Sequence, residues 1–170
     1  MSVKRWLCFV LLLCTLTCAD AKSSLVKVTM PFGLSWHESK IKIIQSGVSL
    51  IPQSFVGVPN AAGSYLAPTI PNSTYSGALY SFSFDNTNKL AKFGILLSQV
   101  NSTQYNAIKK GFIKKYGKPY SKKGVDANKQ AYTYLNWGAA AYGYLGLTYQ
   151  AANQLVLISY FLPVDDSSSD

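Results

Sequence analysis

The stretch Ala78-Leu79-Tyr80-Ser81-Phe82-Ser83-Phe84 alternates large apolar side chains with small polar ones. Three aromatic rings fall on one side of an extended backbone and two serines fall on the other, which predicts a half-buried β-strand. The polar cluster at residues 85–88 (Asp-Asn-Thr-Asn) predicts a turn, and residues 89–97 predict the returning strand of a hairpin. An antiparallel sheet is therefore the expected frame of this protein.

Further strands are expected on both sides of this hairpin. Residues 25–30 alternate apolar and polar side chains and predict a first strand. Residues 131–137, 142–150 and 154–162 are rich in aromatic and branched side chains and predict three more. Residues 48–76 contain four prolines and many small polar residues, so they predict loops with short strands.

A first helix is predicted over residues 36–46. Ser35 followed three positions later by Glu38 has the pattern of a capping box, in which both side chains bond backbone amides at a helix start. Apolar residues then recur at helical spacing, and Gly47 is suited to the left-handed conformation that ends many helices.

A second helix is predicted between Asn101 and Gly117. Asn101 and Gln104 form another capping pair, and Pro119 prevents the helix from continuing. The apolar stripe of this helix consists of Tyr105, Ile108, Phe112, Ile113 and Tyr116. We expect this stripe to pack against the sheet, because it is the one apolar face that the helix has.

Together these elements predict an α+β fold, with two short helices packed on one face of an antiparallel sheet in two layers. Residues 22–162 form the expected domain. The order strand–helix–strands occurs twice, which allows two tandem submodules at residues 22–98 and 99–162. The acidic, serine-rich residues 163–170 predict a disordered tail.

The first 21 residues have the layout of a cleavable secretory signal peptide. Two positive residues precede an apolar run over residues 6–16, and Ala19 and Ala21 supply the small residues of a cleavage site. The run is shorter than the roughly 20 apolar residues that span a bilayer, so we expect no membrane span in the mature chain. An uncleaved anchor and a lipidated cysteine are the alternatives. The expected location is the periplasm or the outside of the cell.

Cleavage after Ala21 would change the composition of the chain. All three cysteines lie before this point, so no disulfide is expected in the mature protein. Fourteen lysines and six acidic residues remain, and no arginine remains. Because arginine supplies the planar fork that reads phosphates and guanine edges, this composition argues against nucleic-acid recognition. The positive charge instead favours an anionic envelope surface such as lipid headgroups or acidic glycans, or simply solubility.

One turn-and-helix motif resembles a group of known proteins. Residues 31–36 (Pro-Phe-Gly-Leu-Ser-Trp), the helix that follows, residues 114–119 (Lys-Lys-Tyr-Gly-Lys-Pro) and Trp137 resemble small uncharacterised exported proteins of Gram-negative bacteria. Such proteins look like tandem two-layer modules, similar to β-lactamase-inhibitor-protein and outer-membrane assembly lipoprotein (SmpA/OmlA) modules. The shared motifs are helix caps and core aromatic residues. The resemblance therefore implies a fold but does not indicate any particular activity. At His37-Glu38 the chain departs from the Gly-Met of that group.

The side chains suited to catalysis are few. The mature chain has one histidine, His37, and one glutamate, Glu38, and only Asp85 and Asp126 precede the tail among its aspartates. A general base needs an orienting partner and a zinc site needs three or four ligands, and neither pattern is present. We therefore expect no cofactor and no metal, and we expect His37 to be an exposed residue at the start of the first helix.

Two sets of residues are candidates for binding. The basic set consists of Lys110, Lys114, Lys118, Lys122 and Lys123. The tyrosine set consists of Tyr132, Tyr134, Tyr142 and Tyr144, which lie two apart within their strands so that each pair shares a face. Lysines would attract an anionic surface or an acidic partner, and tyrosine is enriched at protein interfaces. The alternatives are a solvated helix face and the aromatic edge of a core.

These sets predict a non-enzymatic, inhibitor-like or envelope-associated protein that binds an unknown protein partner or an anionic envelope surface. The alternative is an envelope enzyme, for example one that acts on cell-wall glycans through a site without a recognisable motif. The shortage of acidic residues favours the binding protein, because glycoside hydrolysis needs two positioned carboxyl groups.

Overall fold

The computed structural model describes residues 27–53, 63–139 and 143–162, and the predicted signal peptide and acidic tail lie outside these ranges. Within them, two helices and eight strands follow in the order α1, β1–β4, α2, β5–β8. The helices are α1 (Lys40–Gln45) and α2 (Ser102–Tyr116). The strands are β1 (Ile51–Pro52), β2 (Ser64–Ala67), β3 (Leu79–Phe84), β4 (Leu90–Leu97), β5 (Tyr120–Val125), β6 (Ala131–Ala139), β7 (Gly143–Gln150) and β8 (Leu155–Phe161).

All eight strands form one antiparallel sheet in the order β1-β2-β3-β4-β8-β7-β6-β5. Each half of the chain is a helix followed by four strands that pair in sequence, and the halves join where β4 pairs with β8. The prediction of an antiparallel sheet with two helices is confirmed. The strands of both predicted submodules belong to the same sheet.

The hairpin at residues 78–97 forms as predicted. Along β3 the even-numbered residues Tyr80, Phe82 and Phe84 are buried, and the residues between them are partly exposed. Phe93 of β4 lies opposite Phe82 with ring centroids 5.1 Å apart. Because the aromatic rings of both strands share one face, this face becomes the centre of the hydrophobic core.

Helix α2 also forms as predicted, and it packs against β6 and β7. Asn101 and Gln104 make the full capping box, and Gly117 ends the helix at φ 80°. The Tyr105 ring stacks on Tyr149 of β7 at 4.2 Å, and Tyr116 is buried near the other end. Ile113 is the exception in the predicted stripe, because its position on the wheel leaves it 37% exposed.

The predicted first strand at residues 25–30 is wrong where the structure describes it. Residues 27–30 are not paired with any strand. Val28 is buried in the core, while the Thr29 hydroxyl contacts the Tyr116 hydroxyl at 3.2 Å and accepts a hydrogen bond from Lys115 Nζ. Side-chain contacts with the end of α2 therefore hold this segment in place of a strand partner.

The first helix is shorter than predicted, and it begins at a different cap. His37 has φ 59°, its N–H donates to the Leu90 carbonyl, and Ser39 bridges to Lys89 ahead of β4. The chain is therefore paired with the sheet until Ser39, whose hydroxyl accepts from the Lys42 N–H as the true cap. The predicted role of Gly47 is correct: it follows the helix at φ 94°.

Strand β5 has no counterpart in the sequence prediction. Its residues (Tyr-Ser-Lys-Lys-Gly-Val) are almost all exposed, and they pair with β6 at the edge of the sheet. Charged residues on an edge strand discourage pairing with other chains, so this composition fits the position of β5. It also lacks the apolar alternation from which a strand is predicted.

Candidate binding surface

The two faces of the sheet can be told apart on strand β6. Trp137 packs against Phe112 of α2 with ring centroids 5.7 Å apart, and its Nε1–H donates to the Gly117 carbonyl at 2.8 Å. Because side chains alternate along a strand, Tyr132 and Tyr134 point away from α2. We call the side of the sheet that faces away from α2 the tyrosine face.

A third predicted tyrosine joins these two. Leu145 of β7 lies opposite Trp137 on the α2 side, so the alternation of side chains along β7 places the neighbouring Tyr144 on the tyrosine face. The prediction that Tyr132 and Tyr134 share a face is therefore confirmed, and Tyr144 is brought to the same face. Tyr142, the fourth member of the set, lies outside the described residues.

Two of these rings lie across glycines of neighbouring strands. A β-carbon on Gly124 of β5 would come within 2.7 Å of Tyr132 Oη, and one on Gly146 of β7 would come within 3.0 Å of the Tyr134 ring. Glycine therefore provides the space in which each ring settles onto the sheet. Tyr132 and Tyr134 are partly exposed, so they cover backbone and present aromatic surface to solvent at once.

Asn136 lies on the same face and has an unsatisfied hydrogen-bond acceptor. Its side chain is 5% exposed, and its Oδ1 atom is buried without a hydrogen-bond partner. The residue opposite it on β7 is Gly146, the glycine that the Tyr134 ring covers. A buried acceptor without a partner costs about 1–3 kcal/mol, so its presence calls for an explanation.

Small residues continue from Asn136 across the centre of the tyrosine face. The strand register places four of them in a single row over β7, β8, β4 and β3, namely Gly146, Ser159, Gly94 and Ser81. With neighbouring strands about 4.8 Å apart, the row from Asn136 to Ser81 is about 19 Å long. We call these five residues the small-residue row.

Larger side chains flank this row on both sides. One flank contains Leu79, Leu96, Leu157, Thr148 and Tyr134, and the other contains Lys92, Phe161 and Tyr144. Leu96 and Leu157 are 5% and 6% exposed, yet they do not belong to the hydrophobic core on the α2 side. Leu96, Leu157 and Thr148 are therefore closed off from solvent, while Tyr134, Tyr144 and Phe161 remain partly exposed.

The predicted basic set divides between the two sides of the molecule. Lys110 and Lys114 are exposed on the outer side of α2, and Lys118 is exposed just beyond the helix. On β5, Lys122 lies opposite Tyr134 and so belongs to the tyrosine face, whereas Lys123 lies opposite Thr133 and points to the α2 side. The five lysines therefore do not form one surface.

The other ionisable residues considered from the sequence have structural contacts. The Glu38 carboxylate accepts from the Ser35 N–H at 3.0 Å and pairs with Lys42 Nζ at 3.1 Å. Asp126 accepts from two turn amides and from Gln150 Nε2. His37 is exposed with its backbone tied to β4.

Asp85 closes the β3–β4 turn. Its carboxylate accepts hydrogen bonds from the Lys89 and Thr87 amides and from the Thr87 hydroxyl. The Lys89 amide, the Thr87 hydroxyl and weaker contacts hold the pKa of this carboxyl below its usual value. Within the described ranges, no group of three His, Cys, Asp or Glu residues is arranged to hold a metal ion.

Sequence reasoning found the tyrosines but missed Asn136 and the small-residue row. A single asparagine in an aromatic strand has no distinctive pattern. The row is formed by one residue from each of five strands, so only the register of the sheet reveals it.

Comparison of the chain with protein-family models, with curated proteins and with solved structures finds no match. None of the helices that the structure describes has the length and apolar character needed to cross a membrane.

Proposed function

We propose that this protein is an exported, non-enzymatic binding protein that presents its tyrosine face to a partner protein in the cell envelope or outside the cell. One observation carries the proposal: Tyr132, Tyr134, Tyr144 and Lys122 gather on the same side of the sheet, beside the buried and unsatisfied Asn136. Tyrosine contributes a large contact area at a small cost in conformational entropy, and it is enriched at protein interfaces.

The proposal includes a two-layer arrangement in which both helices cover the side opposite the tyrosine face. It is supported by α1, whose Ile43 is buried in the core and whose Lys40 Nζ donates to the Tyr65 hydroxyl. Tyr65 pairs with Phe82, whose ring belongs to the core side of the sheet. The resemblance to inhibitor-like and outer-membrane assembly modules agrees with a two-layer arrangement.

Site-specific photo-cross-linking in the source organism tests this function. A benzophenone amino acid at position 144 reports contacts on the tyrosine face, and one at position 110 reports contacts on the outer side of α2. We expect position 144 to give a discrete adduct with a protein, and position 110 to give none.

The adduct must disappear when Tyr132 and Tyr134 are replaced by serine in a chain that still folds. Adducts from position 110 alone would move the binding surface to the basic helix and overturn the proposal. Turnover of cell-wall glycans by the purified protein, unchanged by the tyrosine replacements, would favour the enzymatic alternative.

A further inference from the structure

We infer that the outer edge of β5 binds an extended acidic segment of the partner protein, which pairs with β5 as a further strand of the sheet. This inference rests on the proposed function, because it names how the partner of the tyrosine face is held. Three features of β5 carry it: its open backbone groups, its two lysines and its exposed apolar ends.

The backbone of β5 is open along its outer edge. Within the described ranges, β5 pairs with β6 alone. Where this hairpin closes, the Asp126 N–H donates to the Gln130 carbonyl at 2.9 Å. Residues of an antiparallel strand alternate between bonding their partner and pointing away from it, so the even-numbered residues of β5 bond β6. The odd-numbered residues turn their N–H and C=O groups outward, and these are Ser121, Lys123 and Val125.

This edge is accessible, and it is longer than the other edge of the sheet. The side chains of Ser121, Lys123 and Val125 are all exposed. At the opposite edge, β1 has two residues, and one of them is Pro52, which lacks an N–H. Addition of a strand to an open edge is a common mode of peptide recognition, in which main-chain hydrogen bonds supply affinity. Of the two edges, β5 is the one suited to it.

The lysines of β5 determine which kind of segment fits. Lys122 and Lys123 are exposed and adjacent, so they project from opposite faces of the strand. None of the carboxylates in the described ranges pairs with either lysine. Pairing of β5 with a second copy of itself would bring like charges together, whereas a segment with acidic residues at the facing positions would meet opposite charge on both faces. The two lysines thus disfavour a second copy and favour an acidic partner.

Apolar and aromatic surface flanks these lysines. Tyr120 and Val125, at the two ends of β5, are 39% and 66% exposed. The Tyr132 ring crosses Gly124, where a β-carbon would come within 2.7 Å of Tyr132 Oη. The tyrosine face therefore extends onto β5 itself, and a strand added there would lie beside Tyr132 and Lys122. One partner can in this way occupy both the edge and the tyrosine face.

Hydrogen exchange measured by NMR tests the pairing directly. The probe is the capped synthetic peptide Thr-Val-Thr-Glu-Glu-Val-Thr-Val, added in excess to the purified protein at low salt. We expect exchange of the Ser121, Lys123 and Val125 amides to slow at least about fivefold, because the added strand protects them. The Lys122 and Gly124 amides, which already bond β6, should change little.

Variants with equal net charge test the role of the β5 lysines. We expect Lys122→Glu/Lys123→Glu to weaken peptide binding at least about tenfold, and Lys110→Glu/Lys114→Glu on α2 to weaken it less than about twofold, because charge interactions fall off with distance and screening. A peptide with lysine in place of its two glutamates should give no protection of the β5 amides.

A proline tests the backbone without a change of charge. Ser121→Pro removes an outward N–H and leaves the bonds to β6 in place, since proline is tolerated on an edge strand with that side free. We expect it to weaken binding at least about fivefold, and Ser121→Ala to leave binding unchanged. Circular dichroism checks that both variants fold. A peptide methylated on its backbone amide nitrogens tests the same bonds without any change to the protein, and it should not bind.

Three results would overturn the inference. Equal losses in the two double-lysine variants would show that the peptide is attracted by net charge alone. Binding without slower exchange at Ser121, Lys123 and Val125 would place the peptide elsewhere on the molecule. Absence of binding by the wild-type protein would show that the β5 edge does not accept an acidic strand.

Failure of this inference is distinguishable from failure of the proposed function. If the wild-type protein does not bind the peptide while position 144 still cross-links to a protein, the edge site is wrong and the binding face stands. If position 144 gives no adduct, the proposed function fails whatever the peptide does.

Discussion

At the scale of single residues, the two tryptophans of the described chain differ in how well their indole groups are satisfied. Trp137 is 1% exposed and its Nε1–H bonds the carbonyl of Gly117, which ends α2. Trp36 is partly buried, and its Nε1–H is buried without a partner. Only Trp137 therefore joins a helix end to the sheet through a hydrogen bond.

We expect Trp137→Phe to lower the free energy of unfolding by about 2–3 kcal/mol, because it leaves a cavity and an unsatisfied carbonyl. Trp36→Phe is the matched control, and it should cost about 1 kcal/mol or less because it also removes an unsatisfied donor. Urea unfolding followed by circular dichroism measures both. Equal losses would show that the Trp137 hydrogen bond contributes little.

Single residues also mark the limit of what the sequence predicts about the binding surface. The period-2 spacing of Tyr132 and Tyr134 shows that they share a face, but it does not show which face α2 covers. That depends on Trp137, whose contact with Phe112 joins two parts of the chain 25 residues apart. Asn136 is notable only because its Oδ1 atom is buried without a hydrogen-bond partner, and no local sequence pattern predicts that burial.

At the scale of elements, the two helices show when a capping motif predicts a helix start. In α2 the capping pair stands beside a long apolar stripe, and the helix forms where the pair indicates. Before α1 the same pattern at Ser35 and Glu38 forms a turn instead, because residues 37–39 are drawn into contact with the start of β4. Tertiary pairing there overrides the local signal.

Substitution of the caps tests this distinction. We expect Asn101→Ala to lower the free energy of unfolding by about 1 kcal/mol, since its side chain accepts the Gln104 N–H at 2.9 Å. Ser35→Ala should cost less than about 0.5 kcal/mol, since it is the Ser35 backbone N–H, and not its hydroxyl, that contacts Glu38. Thermal or urea unfolding measures both variants. If Ser35→Ala lowered the free energy of unfolding as much as Asn101→Ala, the capping box predicted at Ser35 and Glu38 would be supported after all.

At the scale of the whole molecule, the predicted elements did not specify how the halves of the chain combine. Strong alternation identified β3, the turn that follows it identified β4 as the returning strand of a hairpin, and runs rich in aromatic and branched side chains identified β6, β7 and β8. The pairing of β4 with β8 joins residues about 65 positions apart, and many registers between such apolar strands bury similar surface. Strand β5 was missed because two adjacent lysines and a glycine interrupt any apolar period.

The aromatic core leads to a prediction about alkaline stability. Burial raises the pKa values of Tyr75, Tyr105 and Tyr160, and neighbouring tyrosines add to this effect. In the unfolded chain the same groups titrate near pH 10. A group whose pKa is higher in the folded state contributes stability that is complete below its unfolded pKa and is lost as pH rises towards its folded pKa. The free energy of unfolding should therefore fall progressively above about pH 10.

Absorbance at 295 nm, which reports tyrosinate, and circular dichroism, which reports the fold, measure this together. We expect Tyr75, Tyr105 and Tyr160 to titrate together with unfolding, because burial raises their pKa values in the folded chain. Tyr160→Phe should raise the pH of the unfolding midpoint, because it removes a buried group whose ionisation favours the unfolded chain. Tyr120→Phe is the control and should leave that midpoint unchanged. Titration of every tyrosine near pH 10 in an intact fold would mean that the core is open to hydroxide.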